Sequence, residues 1–172
     1  MEEAPGVIML PRSLHIGHGH GSREIGDNQP MTGFALTERS AAEAWARAYN
    51  THDPSVLAPI LAEDVRVMSR WVVNDLVGRN GYLGYLKSKF ATFESTGSVV
   101  RVEIGETPGA SAGTPGRPCA LIEQDGSLIA TVLFDVVGGK LSQISLGPYP
   151  PPEECRRWGE FPGFDSDEGI VN

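Results

Sequence analysis

The sequence predicts an α+β domain, and three observations carry that prediction. Apolar residues recur at helical spacing only in the first half of the core, between Ser40 and Phe93. The second half alternates apolar and polar residues around Asp125-Gly126 and Gly138-Gly139, both hairpin signals. The chain has 172 residues, enough for one core and too few for two comfortable ones. Helices first and a meander of antiparallel strands afterwards is the layout of an α+β domain.

The elements follow in order. Residues 1–36 are rich in Gly, Pro and His without sustained periodicity, and Met31 stands just before the first helix. They read as a flexible extension, or as sequence upstream of a true start at Met31. Ser40 and Glu43 form a capping-box pattern, after which Ala41, Trp45, Ala48 and Tyr49 share a helical face. That helix stops at Asn50-Thr51-His52-Asp53. Asp53-Pro54 starts a second one, with Val56, Leu57, Ile60 and Leu61 as its stripe; Pro59 inside the stripe shortens or distorts it. Val65 and Val67 alternate with Arg66 and Met68 as a half-buried strand. After Val77-Gly78-Arg79 a third helix carries Tyr82, Leu83, Leu86, Phe90 and Phe93 on one side and ends at Gly97. Strands are expected at 99–104, 119–123, 128–137 and 141–146. The domain therefore spans 37–149, and 150–172 is a Pro-rich acidic tail that opens as polyproline. Trp158, Phe161 and Phe164 are too apolar for a purely solvated tail and point to a strap across the domain or a partner.

Charge narrows the function classes. The formal net charge is -8, with 10 basic against 12 acidic side chains in 37–149 and 2 against 6 in 150–172. Such a surface offers phosphates no clustered cations, so no nucleic acid is expected as a partner. No apolar run approaches the ~20 residues that span a bilayer, so no membrane partner is expected and the default compartment is cytoplasmic. Cys119 and Cys155 have no metal-ligand spacing: Cys119 reads as a small strand hydrophobe, and Cys155 sits in the polar tail. His15, His18 and His20 form a Gly-interrupted tract without a rigid scaffold or an evident fourth ligand. No metal and no organic cofactor is expected.

The segments AWARAYNTHDPSVLAPILAEDVRV, LVGRNGYLGYLKSKF and IATVLFDVVGGKLSQISL together resemble the nuclear-transport-factor-2-like superfamily, over roughly residues 37–149. That group includes ketosteroid isomerases, limonene epoxide hydrolases, scytalone dehydratases and SnoaL-like polyketide cyclases. The resemblance implies a curved antiparallel sheet wrapped around a conical cavity, closed by about three N-terminal helices, and a homodimer through the sheet. It implies a small apolar molecule as ligand and fixes no reaction, since the matching motifs are scaffold motifs. The isomerase's aspartate base falls at Ser69, its oxyanion-holding tyrosine near Trp45 and its protonated aspartate near Val132. None of the three matches. An epoxide-hydrolase arrangement requires Arg66 and Asp135 both to point inward, and His52 is the only histidine of the domain for a dehydratase-like site.

Two residues are the catalytic candidates. Asp75 follows the aromatic stretch at Trp71, where an apolar setting raises a carboxyl pKa and makes it a base; the plainer reading is a turn residue satisfying backbone N–H groups. Tyr82 is the matching hydrogen-bond donor. Trp45, Tyr49, Trp71, Tyr85 and Phe134 are the candidate ligand-binding residues, with ordinary core packing as the competing explanation. Glu123 and Asp135 supply acid–base chemistry if both face inward and are solvated surface otherwise. The function expected is binding of a small hydrophobic ligand, with or without cofactor-independent isomerase, cyclase or hydrolase chemistry. The other reading is a non-catalytic dimerisation or protein-interaction module whose interior Trp45 and Trp71 fill.

Overall fold

The computed structural model describes residues 35–71 and 74–164. The His tract at 15–20 and the last eight residues lie outside them. Helix α1 (Glu38–Asn50) and helix α2 (Arg79–Thr96) pack on a sheet of seven strands. These are β1 (Leu61–Ser69), β2 (Leu76–Val77), β3 (Val100–Glu106), β4 (Pro118–Gln124), β5 (Ser127–Val137), β6 (Lys140–Gly147) and β7 (Arg156–Glu160), in spatial order β2-β1-β6-β5-β4-β3-β7.

Helix α1 begins earlier than its Ser40 signal suggests. Thr37 is the cap: its Oγ1 accepts from Ser40 N, and Ser40 Oγ accepts from Thr37 N at 2.8 Å. Ser40 is thus the reciprocal partner within the box. Glu43 pairs instead with Arg39, four residues back, at 2.8 Å.

The expected second helix is a 3₁₀ turn, Pro54–Leu57, so among the described residues there are two α-helices rather than three. Asp53 caps it by accepting from Ser55 N at 2.9 Å. Pro59 has no N–H to continue the ladder, and the chain passes directly into β1 at Leu61. Helix α2 ends where the sequence places its stop, with Gly97 at φ +69° and its N–H on Phe93 O.

The sheet is mixed, not wholly antiparallel. β1 lies parallel to β6, with Val67 opposite Ile144, while the other pairs run antiparallel. Both hairpin turns have two consecutive residues at positive φ, Asp125-Gly126 and Gly138-Gly139, which matches the twist of the strands they join.

Strand alternation divides the sheet into two faces. The inner face carries Val102, Ile104, Ala120, Ile122, Ala130, Val132, Phe134 and Ile144, all buried against the helices with Trp45, Leu57, Leu86 and Phe90. The outer face of β3–β5 carries Glu103, Gly105, Cys119, Leu121 and Thr131. The segment after β6 must cross this outer face to reach the far edge at β3. Thr131 Oγ1 donates to Pro150 O at 2.7 Å, and Cys155 packs on Cys119 and Leu121. A Cβ at Gly105 would meet Arg156 O at 2.7 Å, so the crossing requires glycine there.

The tail is therefore partly structural. β7 covers the open edge of β3 and removes its unpaired backbone groups. Asn50 ties the end of α1 to both partners. Its Nδ2 donates to Val102 O and Pro162 O, and its Oδ1 accepts from Val102 N, all within 2.9 Å. Among the described residues, no helix is long and apolar enough to cross a membrane.

Candidate functional site

The inner face is packed solid at one end and open at the other. Beneath α1, the Trp45 ring stacks on Tyr49 with centroids 3.9 Å apart and meets Phe134 edge-on at 5.9 Å. Next to this block lies a cavity of about 560 Å³. α1 contributes Tyr49 to its wall, and α2 contributes Tyr82, Tyr85, Lys89 and Phe93. The sheet contributes Val67, Ser69, Leu76, Val100, Ile122, Gln124, Ile129, Ala130 and Leu146; Trp71 and Asn74 complete the wall.

Helix periodicity explains what α2 presents. Tyr82, Leu86 and Phe90 stand four apart and form the fully packed ridge. Tyr85, Lys89 and Phe93 also stand four apart and form the adjacent ridge, which faces the open space. Tyr85 and Trp71 are exposed at the mouth, Trp71 at 57%.

The interior has a defined hydrogen-bonding element. Trp45 Nε1 donates to Tyr82 Oη at 2.7 Å, in a buried contact. The Tyr82 oxygen is thus occupied as an acceptor, and its own O–H has no acceptor among the described residues. A phenol whose oxygen already accepts becomes a better donor. Burial pushes the Tyr82 phenol well above its usual range, against the opposing pull of the Trp45 N–H. Burial does the same to Tyr49, helped by the nearby Tyr82 and Tyr85 phenols. Both are neutral donors at ordinary pH.

These shifts carry a stability consequence. Below pH 10.0, the ordinary phenol value, both phenols are protonated in folded and unfolded chains alike. Above it the unfolded chain loses protons that the native state retains, so stability falls as pH rises. The slope is about 1.4 kcal/mol per pH unit for each such group. The Cys119 and Cys155 thiols, also raised by burial, begin the same decline near 9.0. Urea unfolding across this alkaline range should show the loss, and Tyr82→Phe should reduce the slope by about one proton's worth. A flat profile would contradict the buried, protonated placement of these groups.

Of the residues singled out from the sequence, Tyr49, Trp71, Tyr82 and Tyr85 come together in the cavity wall. Trp45 and Phe134 stand behind it, fully buried, and shape it indirectly. Asp75 lies outside the lining: its side chain is 43% exposed, with Oδ2 at 4.0 Å from Arg66 Nη1. Glu123 and Asp135 do not meet inside either. Asp135 pairs with Arg117 at 2.7 Å, and Glu123 lies 4.0 Å from Arg157. Arg66 is exposed and faces Asp75, Asp135 pairs with Arg117, and neither lines the cavity, so the epoxide-hydrolase arrangement does not form. His52 stacks on Phe90 at 5.3 Å and is not part of the lining. Ser69 does line the cavity; its Oγ accepts from Trp71 N at 3.3 Å.

Sequence reasoning missed Lys89 and Gln124. The signal for Lys89 was the four-residue spacing Tyr85–Lys89–Phe93. Among the described lining residues there is no carboxylate.

No family model matches the sequence, and no curated protein matches it. Solved structures do. An NTF2-like protein of unknown function from Cytophaga hutchinsonii is 16% identical with a TM-score of 0.44, over 67% of this chain and 94% of that one. A SnoaL-like protein of unknown function from Burkholderia thailandensis is 14% identical with a TM-score of 0.49, over 64% and 92%. An M. tuberculosis LEH-like epoxide hydrolase is also similar, at 14% identity and a TM-score of 0.43 over 63% and 76%.

Proposed function

We propose that this chain binds one small, mainly apolar molecule in the cavity between α2 and the sheet, in the manner of a SnoaL-like ligand-binding protein. The observation that carries the reading is an open space of about 560 Å³, walled largely by apolar and aromatic side chains, with the Tyr82 hydroxyl as a preoriented donor. An oxygen of the ligand accepts from Tyr82 Oη while its apolar body packs on Val67, Val100, Ile122 and Leu146. If a reaction takes place, it is one in which negative charge develops on that oxygen, because the Trp45–Tyr82 pair stabilises charge there. An interior filled by its own side chains would favour the interaction-module reading; here Trp71 sits at the mouth and leaves the space open.

The homodimer implied by the resemblance belongs to the same reading. It would use the part of the outer sheet face that the 148–155 crossing leaves free.

Calorimetric titration with 2-naphthamide, an apolar ring system with one carbonyl acceptor, tests the binding. Saturable one-to-one binding is expected, weakened about three- to tenfold in Tyr82→Phe, which removes only the donor. Absence of saturable binding, or an unchanged affinity in Tyr82→Phe, would count against the reading. Native mass spectrometry of the purified protein reads the dimer and any retained ligand together; a clean apo monomer contradicts both expectations.

A further inference from the structure

Lys89 is the one cation in the described cavity wall. Its Nζ lies 5.9 Å from the Tyr49 ring centroid and 5.7 Å from those of Tyr85 and Phe93. None of the ion pairs among the described residues uses it. Its charge is met there only by the faces of three rings, a weak compensation compared with a carboxylate.

We infer that Lys89 is an anion site, and that the ligand of this cavity is an apolar molecule carrying one negatively charged oxygen group, a carboxylate. The inference rests on the binding reading above and narrows it. Three steps lead to it.

An aromatic cage is ordinarily a receptor for cations. This one already holds its own, so a positively charged ligand meets repulsion at close range. A neutral ligand fills the apolar volume but leaves the ammonium to be satisfied by water at the mouth. A carboxylate replaces that water with a charge-assisted hydrogen bond in surroundings less polar than bulk solvent, where such a bond is strong. The neighbouring neutral groups fit the same ligand: Tyr49 and Tyr82 are phenol donors, and no acid in the described wall competes.

The setting of the lysine adds selectivity. The protein carries a net charge of -8, so its surface as a whole does not gather anions. Attraction is confined to one partly buried lysine in the wall of an apolar recess. A multiply charged or hydrophilic anion has nothing to gain from the rest of the wall.

The test compares two ligands of nearly equal shape, 2-naphthoate and 2-naphthamide, by calorimetry at neutral pH on the full chain and on Lys89→Met and Lys89→Arg. Met keeps most of the lysine's apolar stem, and Arg keeps the charge. The readout is the ratio of the two affinities within each protein. The parent should favour naphthoate about tenfold. The ratio should fall to about one in Lys89→Met and persist in Lys89→Arg. Equal affinities in the parent, or a preference that survives in Lys89→Met, overturn the anion site while leaving the binding reading in place. So does a Lys89→Met protein that binds neither compound although its unfolding midpoint matches the parent, since Lys89 then shapes the recess rather than pairing. If the parent binds neither compound, the binding reading falls and this inference falls with it.

Discussion

Trp45→Ala is expected to lower the unfolding free energy by about 3–5 kcal/mol, the range for emptying a large aromatic site in a packed core. Trp45 is fully buried and joins three layers: it stacks on Tyr49, meets Phe134 edge-on and donates to Tyr82 Oη. Two terms add. The ring's apolar area and its dispersion contacts are lost, and a void opens that Tyr49 and Phe134 can fill only in part. The hydrogen bond to Tyr82 contributes a smaller share, on the order of 1 kcal/mol. Trp45→Phe keeps one aromatic ring in the site and loses the N–H together with only part of the indole's volume. It should cost clearly less than Trp45→Ala. Urea unfolding monitored by far-UV circular dichroism decides the matter, with the midpoint shift at unchanged slope as the measure. A Trp45→Ala loss below about 1 kcal/mol would mean that the block beneath α1 is not the packed half of the core. The same variant should also weaken ligand binding, since Tyr82 loses both the neighbour that orients it and the N–H that polarises it.

The course of the chain was legible wherever neighbours in sequence decide the conformation. Both α-helices, the Gly97 stop and the two hairpin turns rest on local spacing and turn chemistry, and apart from the start of α1, which Thr37 caps in place of Ser40, they stand where those signals place them. What local reasoning cannot supply is pairing between distant segments. The parallel contact of β1 with β6 joins residues about eighty apart, and nothing in either strand specifies its direction. β7 has the same explanation. Arg156-Arg157-Trp158 shows no alternation, and its place at the sheet edge depends on Glu103, a residue over fifty positions away.

In the site, Tyr49, Tyr82 and Tyr85 could be read from aromatic residues at helical spacing. Asp75 was suggested by its nearness in sequence to Trp71, but it stands just before β2 with its side chain toward Arg66 and solvent. Lys89 went unread because a lysine on an amphipathic helix is normally solvated. Only the cavity shows that its ridge borders an empty space rather than bulk water.

The same distant pairing at β7 predicts the second large effect. Arg157→Met is expected to cost about 2–3 kcal/mol, more than an exposed ion pair is worth. The asymmetry of the pair is the reason. Glu103 is 3% exposed on the outer face of β3, whereas Arg157 is nearly half exposed. Glu103 accepts from Arg157 Nε and from Gly159 N. Removing the arginine leaves a buried carboxylate with one backbone N–H to satisfy it, and the desolvation of that charge is then largely uncompensated. Arg157's own exposure and the remaining Gly159 bond keep the cost below the full value for a buried pair. Converting the carboxylate to an amide in the same background relieves the penalty, because Gln keeps an oxygen for Gly159 N without a charge. The double variant Glu103→Gln/Arg157→Met should therefore be more stable than Arg157→Met alone, by about 1–2 kcal/mol. Hydrogen exchange locates the damage: the Gly159 amide should lose protection in Arg157→Met, while Phe90 in the middle of α2 should not. If the single variant costs no more than about 0.5 kcal/mol, or the double variant is no better than the single, the Glu103 charge is not what fastens β7 to the sheet. The edge would then be held by the backbone ladder and by Asn50, whose Nδ2 grips Pro162 O at 2.8 Å just beyond β7.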